Sequence, residues 1–203
     1  MTGSYDGELG WVALQSLLSQ ADVAAISHGC ERLLLAPLEE RCAGDKVSAG
    51  TLHLFELDRR IAEVATLLTN SSLVAMVEEI IGPKWITEQV SYRCPQPQFG
   101  GQLLHADSTP QTSADAVATC ATMIVPLIEF TETNGATRVV PGSHRRPDLQ
   151  RESGRLEQLD NEQLLLGPPG IGFVFSGHLL HSGTTNNSTA SRPALQVTWR
   201  VAH

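Results

Sequence analysis

What most limits the fold of this chain is a change of character after Pro83. From there to the end, short runs rich in β-branched and aromatic residues alternate with glycine, proline and asparagine. The runs are Lys84 to Tyr92, Ala116 to Ile128, Ala136 to Val140, Ile171 to Phe175 and Ala194 to Val201. Such runs read as short strands, and no helices are interleaved with them in regular alternation. A doubly wound parallel sheet is therefore disfavoured, and an antiparallel barrel or jelly roll is expected. The segment from His144 to Leu166 is polar and charged, and reads as an excursion of loop and short helix between strands.

The part before Pro83 reads differently. Trp11, Leu14, Leu17 and Leu18, then Val23, Ile26, Cys30, Leu33 and Leu34, recur at helical spacing, so Glu8 to Cys42 is expected to be helical. Ser19 with Asp22 three positions on is a start signal for the second of these helices, and Pro37 should kink or end it. Gly44 to Gly50 reads as a connecting loop. Further helices are expected over Leu57 to Leu68, and from Asn70-Ser71-Ser72 to the stop signal Gly82-Pro83. These helices hold no clustered ligand residues, so their expected role is to pack on the sheet. The expectation is one domain over 1–203, with a helical annex over about 1–83 and a jelly-roll core over about 84–203.

The chemistry concentrates in the C-terminal half. In Gln102-Leu103-Leu104-His105-Ala106-Asp107 a strand would project His105 and Asp107 side by side. Read with a second histidine far downstream, His181, they make a 2-His-1-carboxylate set, which leaves positions open on an iron for cosubstrate and oxygen. Three other stretches converge with it: Asn134-Gly135-Ala136-Thr137-Arg138-Val139-Val140-Pro141-Gly142-Ser143-His144, Gly172 to Gly183 with its His178-Leu179-Leu180-His181, and Ser191-Arg192-Pro193.

In the order and spacing of these motifs the chain resembles the phytanoyl-CoA dioxygenase family of iron(II)/2-oxoglutarate-dependent oxygenases. The resemblance implies a mainly β fold, a double-stranded β-helix (a cupin-like jelly roll) with N-terminal helices. It makes His105, Asp107 and His181 the iron ligands. His178 competes with His181, but the family's basic residue for the far carboxylate of 2-oxoglutarate follows the distal histidine by eleven positions, which from His181 is Arg192. Arginine suits that task as a permanently charged, bidentate partner. By the same resemblance Gln102 holds the carboxylate beside the iron, and Thr137, or in its place Thr122, hydrogen-bonds the far one. Arg138 and His144 either face the pocket or anchor their loop. The implied cofactors are Fe(II), 2-oxoglutarate and O2. Because Asp107 keeps the carboxylate that related halogenases replace, hydroxylation is the default outcome, with desaturation, ring formation and epimerisation as alternatives.

Composition limits the partners. With 14 basic and 22 acidic residues the net charge is −8, and no basic stripe is visible in the sequence, so nucleic acid is not expected. No strongly basic patch suits a coenzyme A phosphate, so a small metabolite of a biosynthetic pathway is the expected substrate. A lid is expected from Ser108 to Asp115 and the N-terminal region. Four scattered cysteines, no visible leader and no apolar run of bilayer length give the expectation of a cytoplasmic protein, monomer or homodimer, without membrane contact. Two other functions compete: a cupin-like metal- or ligand-binding protein without oxygenase activity, and a zinc hydrolase. The first needs neither the ligand set nor Arg192, and the second lacks an extra carboxylate to act as base.

Overall fold

The computed structural model describes residues 4–37, 41–42 and 44–202. Ten strands form two sheets, and every pairing is antiparallel. The strands are β1 (Trp11–Leu14), β2 (Lys46–Ser48), β3 (Thr51–Phe55), β4 (Trp85–Pro95), β5 (Cys120–Pro126), β6 (Thr137–Val139), β7 (Gln163–Leu164), β8 (Gly172–Ser176), β9 (His181–Gly183) and β10 (Ala194–Val201). The large sheet runs β1-β8-β5-β10-β4-β3-β2 and the small one β7-β6-β9, a jelly-roll arrangement.

Alternation along the strands assigns the two faces of the large sheet. On β10, Leu195, Val197 and Trp199 join a core shared with the helices, while Ala194 packs between the sheets. On β8, Val174 faces the helices and Phe173 and Phe175 face the small sheet. Both faces being covered, β5 and β8 are buried along their whole length.

Helix α1 (Gln20–Leu35) opens on a reciprocal capping box, in which Ser19 accepts from the Asp22 N–H and the Asp22 carboxylate accepts from the Ser19 N–H. It ends before Pro37, as expected. Helix α2 (Ala62–Leu67) is shorter than the expected Leu57 to Leu68, because a 3-10 turn over Leu57–Arg59 takes the first part. Helix α3 (Ser71–Ile81) is capped by Asn70 and stops at Gly82, whose φ of 80° a side chain would resist. It lies on β5, β8 and β10. A four-residue α4 (Pro147–Gln150) and β7 fall within the polar excursion.

Two expectations for the N-terminal part are corrected. Trp11–Leu14 is a strand, because it pairs with β8 and buries Val12 and Leu14 in alternation. Gly44 to Gly50 is not merely a loop: β2 forms there and makes a hairpin with β3. The expected helix to Cys42 runs in part over residues 38–40, which lie outside the described residues.

Candidate metal and cosubstrate site

His105 lies in an isolated bridge to His181 rather than in a regular strand. Each residue's N–H donates to the other's carbonyl, both at 2.9 Å. Asp107 follows in a bend, its N–H donating to the Gly177 carbonyl at 2.8 Å. The expected projection of His105 and Asp107 from one strand is thus replaced by a bridge and a turn, which still bring the two side chains together. His105, Asp107 and His181 each present a ligand atom, and these atoms lie within 4.8 Å of one another. His181 Nε2 is 3.5 Å from Asp107 Oδ2, and His105 Nε2 is 4.0 Å from Oδ1.

Backbone carbonyls fix both imidazole tautomers. His105 Nδ1 lies 3.0 Å from the Leu103 carbonyl and His181 Nδ1 2.9 Å from the Leu179 carbonyl. A carbonyl only accepts, so each Nδ1 carries the proton and each Nε2 lone pair is left facing the cluster. Burial, then the neighbouring His181, holds His105 below the usual imidazole range and favours its neutral form. Thr122, on β5, donates to Asp107 Oδ2 at 2.6 Å.

Beside the cluster is a cavity lined by Arg93, Gln102, Thr137, Gly183, Arg192 and Gln196, with both histidines in its wall. Arg192 is 2% exposed, stacks on Phe130 with 4.8 Å from its guanidinium carbon to the ring centroid, and has a buried Nε without a partner. Among the described residues no carboxylate pairs with it. Burial, and then the charge of Arg93, push it down to about 9. An unpaired guanidinium in such a place costs several kcal/mol by rough solvation arithmetic, and an anion there removes the penalty. The donor set and this orphaned cation fit a divalent metal together with a dicarboxylate.

Gln102 Oε1 accepts from Arg93 Nη1 at 2.7 Å and from the Gly183 N–H at 3.3 Å. Two donors on the oxygen leave the amide N–H groups as the end free for an acceptor. Thr137 shares the cavity with Arg192, whereas the hydroxyl of Thr122, its alternative at the sequence level, is engaged on Asp107 instead. His178 lies outside the cluster: its Nε2 accepts from the Thr119 N–H at 3.2 Å. Arg138, on β6, is an anchor, donating to Ser182 Oγ, to the Gln102 and Glu157 carbonyls and to Glu162. His144 donates to the Gly7 carbonyl and is likewise an anchor. In the loop from Ser108 to Asp115, Gln111 is buried and its N–H is tied to Gln150 of α4.

Arg93 was not singled out in the sequence. The available signal was a charged residue between Tyr92 and Cys94, at the strand parity opposite to two core residues.

Comparison with known proteins bears on the fold and the family. Dioxygenase trt7 of Aspergillus terreus is 29% identical over 163 residues, covering 73% of this chain and 54% of that protein. Ectoine dioxygenase of Streptomyces anulatus is 28% identical over 144 residues, with 67% and 48% covered. The chain thus spans about half the length of these two relatives. In fold it is similar to HygX from Streptomyces hygroscopicus, solved with nickel and 2-oxoglutarate bound (TM-score 0.74, 13% identity, 96% of this chain and 84% of that one). It is also similar to EctD from S. alaskensis with 2-oxoglutarate and 5-hydroxyectoine (TM-score 0.75, 21% identity, 96% and 73%). The model of the phytanoyl-CoA dioxygenase family matches residues 8–194, a span that takes in helix α1, strands β1 to β9 and the His-Asp-His cluster through to Arg192. This chain belongs to the phytanoyl-CoA dioxygenase family.

Proposed function

We propose that this chain is an iron(II)- and 2-oxoglutarate-dependent dioxygenase that hydroxylates a small-molecule metabolite. The observation that carries the reading is the pairing of two unlike features on one cavity wall. Two imidazoles whose Nε2 atoms face a carboxylate line the same cavity as a buried guanidinium that, among the described residues, has no anion.

Iron with bound 2-oxoglutarate supplies the oxidising power, consuming oxygen and releasing succinate and carbon dioxide. The chain's own residues do the positioning. His105, His181 and Asp107 hold the metal, and Thr122 fixes the rotamer of Asp107. Arg192 and Thr137 take the far carboxylate of the cosubstrate. Gln102 turns its amide N–H groups to the near one, held in that sense by Arg93. The His105 and Asp107 side chains keep 29% and 17% of their surface exposed against 4% for His181, so substrate approaches over the first two. Asp107 leaves no vacancy for a halide, which favours hydroxyl transfer.

Names of relatives support the enzyme reading over a binding protein, since they are called dioxygenases. A cytoplasmic role in biosynthesis, as one domain, fits free cysteines and the lack, among the described residues, of a helix long and apolar enough to cross a membrane.

The test is anaerobic visible absorption of the metal-free protein given iron(II) and then 2-oxoglutarate. A charge-transfer band on adding the keto acid is expected. It should vanish in His181→Ala, and in Arg192→Met it should need about a hundredfold more 2-oxoglutarate, a loss of roughly 3 kcal/mol for one charge-assisted pair. No band in the intact protein overturns the reading.

A further inference from the structure

Strands β2, β3 and β4 set three basic side chains in one line. Lys46 is the register partner of His53, and His53 is the partner of Arg93. Residues directly opposed in a sheet share a face, with Cβ atoms roughly 5 Å apart. The same three side chains line a cavity of about 290 Å³ together with Ser48, Thr51 and Gln102. Pairing and cavity shape therefore agree that the row looks into one groove.

Among the described residues no carboxylate pairs with Lys46, His53 or Arg93, although acidic side chains outnumber basic ones in the chain. Arg93 is anchored by Gln102 and by the Gly100 carbonyl at 3.4 Å, and its buried Nε has no partner. His53 is held by stacking on Phe55, with ring centroids 6.3 Å apart and 12° between the planes. Burial, then Arg93 and Lys46, keep its imidazole below the usual range. Lys46 and Arg93 carry like charge on either side of this imidazole, and an anion among them is attracted by both. Ser48 and Thr51, opposite each other in the hairpin, add hydroxyl donors to the same wall.

We propose that the groove of Lys46, His53 and Arg93 is a second anion-binding site, for a small molecule carrying a phosphate or carboxylate group. It shares Arg93 and Gln102 with the cavity of Arg192 but does not depend on the metal. The row also answers the apparent lack of a basic patch in the sequence. Lys46 and His53 meet across a hairpin, and Arg93, forty residues further on, joins them only through the pairing of β3 with β4.

The experiment follows the His53 imidazole proton by NMR in the metal-free, full-length protein, at about pH 7.5 where the imidazole is mostly neutral. Its resonance is assigned by its loss in His53→Gln. Inorganic phosphate and succinate are titrated separately at constant ionic strength, so the two arms tell which head group is preferred. A saturable shift is expected with at least one of them. It should persist in Arg192→Gln, which removes only the cation of the other cavity. In Lys46→Glu the affinity should fall by about fivefold, as one exposed attraction is lost and a repulsion takes its place. Lys46 lies on a strand exposed at all three residues, so this variant folds. No saturable shift with either anion, a shift abolished by Arg192→Gln, or undiminished affinity in Lys46→Glu would each overturn the proposal. None of these outcomes bears on the iron reading, which is tested with metal and 2-oxoglutarate.

Discussion

Thr122→Val separates the support of the metal site from the support of the fold. The change removes one hydroxyl and keeps the side-chain shape. That hydroxyl donates to Asp107 Oδ2 at 2.6 Å, and the same oxygen lies 3.5 Å from His181 Nε2. A hydrogen bond to an ionised carboxylate is worth about 1.5–3 kcal/mol when nothing replaces it. In the metal-free protein something does replace it. The Asp107 side chain is 17% exposed, so water reaches the carboxylate, while Thr122 is fully buried and valine suits that position. The fold should therefore lose no more than about 1 kcal/mol. Metal binding should lose more, because the carboxylate must then be ordered without its donor. Loss of such a supporting bond costs about 10- to 100-fold in metal affinity, which is roughly 1.4–2.7 kcal/mol. Anaerobic iron(II) titration, or manganese(II) as a redox-silent substitute, gives the affinity, and thermal melting of the metal-free protein gives the fold. Wild-type metal affinity in a normally folded Thr122→Val protein would refute the reasoning.

Three further outcomes are expected. Gly183→Ala places a methyl 2.8 Å from the Gly100 carbonyl oxygen and 3.4 Å from Gln102 Oε1, so backbone must move. A loss of about 1–3 kcal/mol in a urea melt is expected, together with weaker 2-oxoglutarate binding; an unchanged melt would contradict it. Gln102→Glu keeps the acceptor for Arg93 but turns the donor end into carboxylate oxygen, so the 2-oxoglutarate requirement should rise about tenfold or more with little change in melting temperature. The pH dependence of stability follows from four histidines, His53, His105, His144 and His178, each held below its ordinary value, chiefly by burial. The unfolded chain then binds more protons than the folded one as pH falls from about 6.5 toward the depressed values. Stability of the metal-free protein should drop over that window, by up to about 1.4 kcal/mol per pH unit for each group, and urea midpoints at about pH 7.5 and 5.5 would show it. Equal midpoints would mean that these imidazoles are not buried as described.

Much of the site was legible in the sequence because its chemistry sits in short local motifs. His105-Ala106-Asp107 and His178-Leu179-Leu180-His181 carry their own spacing, and the strands β4, β5, β8 and β10 are long enough for composition to decide. Capping made α1 and α3 readable from Ser19 and Asn70. What escaped depended on pairing partners. Trp11–Leu14 is too short for its period to separate helix from strand, and β8 decided the matter. Thr51–Phe55 shows an alternation, but it becomes a strand by lying against β4. Thr122 was placed near the site by its strand, yet its partner Asp107 comes from a bend that no periodicity encodes. Arg93 and the row it completes are invisible until β2, β3 and β4 are in register.

The reciprocal bridge between His105 and His181 bears on how the protein comes together. One pair of peptide groups sets the spacing of the two imidazoles, and it joins residues separated by more than a third of the chain. Such distant contacts carry a loop-closure cost that is recovered only once the sheets have docked. An unfolded chain therefore holds the three proposed ligand side chains apart, and a divalent ion bound by them would favour the finished protein over partly assembled ones. By mass action, metal at a hundred times its dissociation constant deepens the native well by about 2.7 kcal/mol. With the proposed ligand set, metal supply would thus add to the stability of the native fold before any substrate arrives.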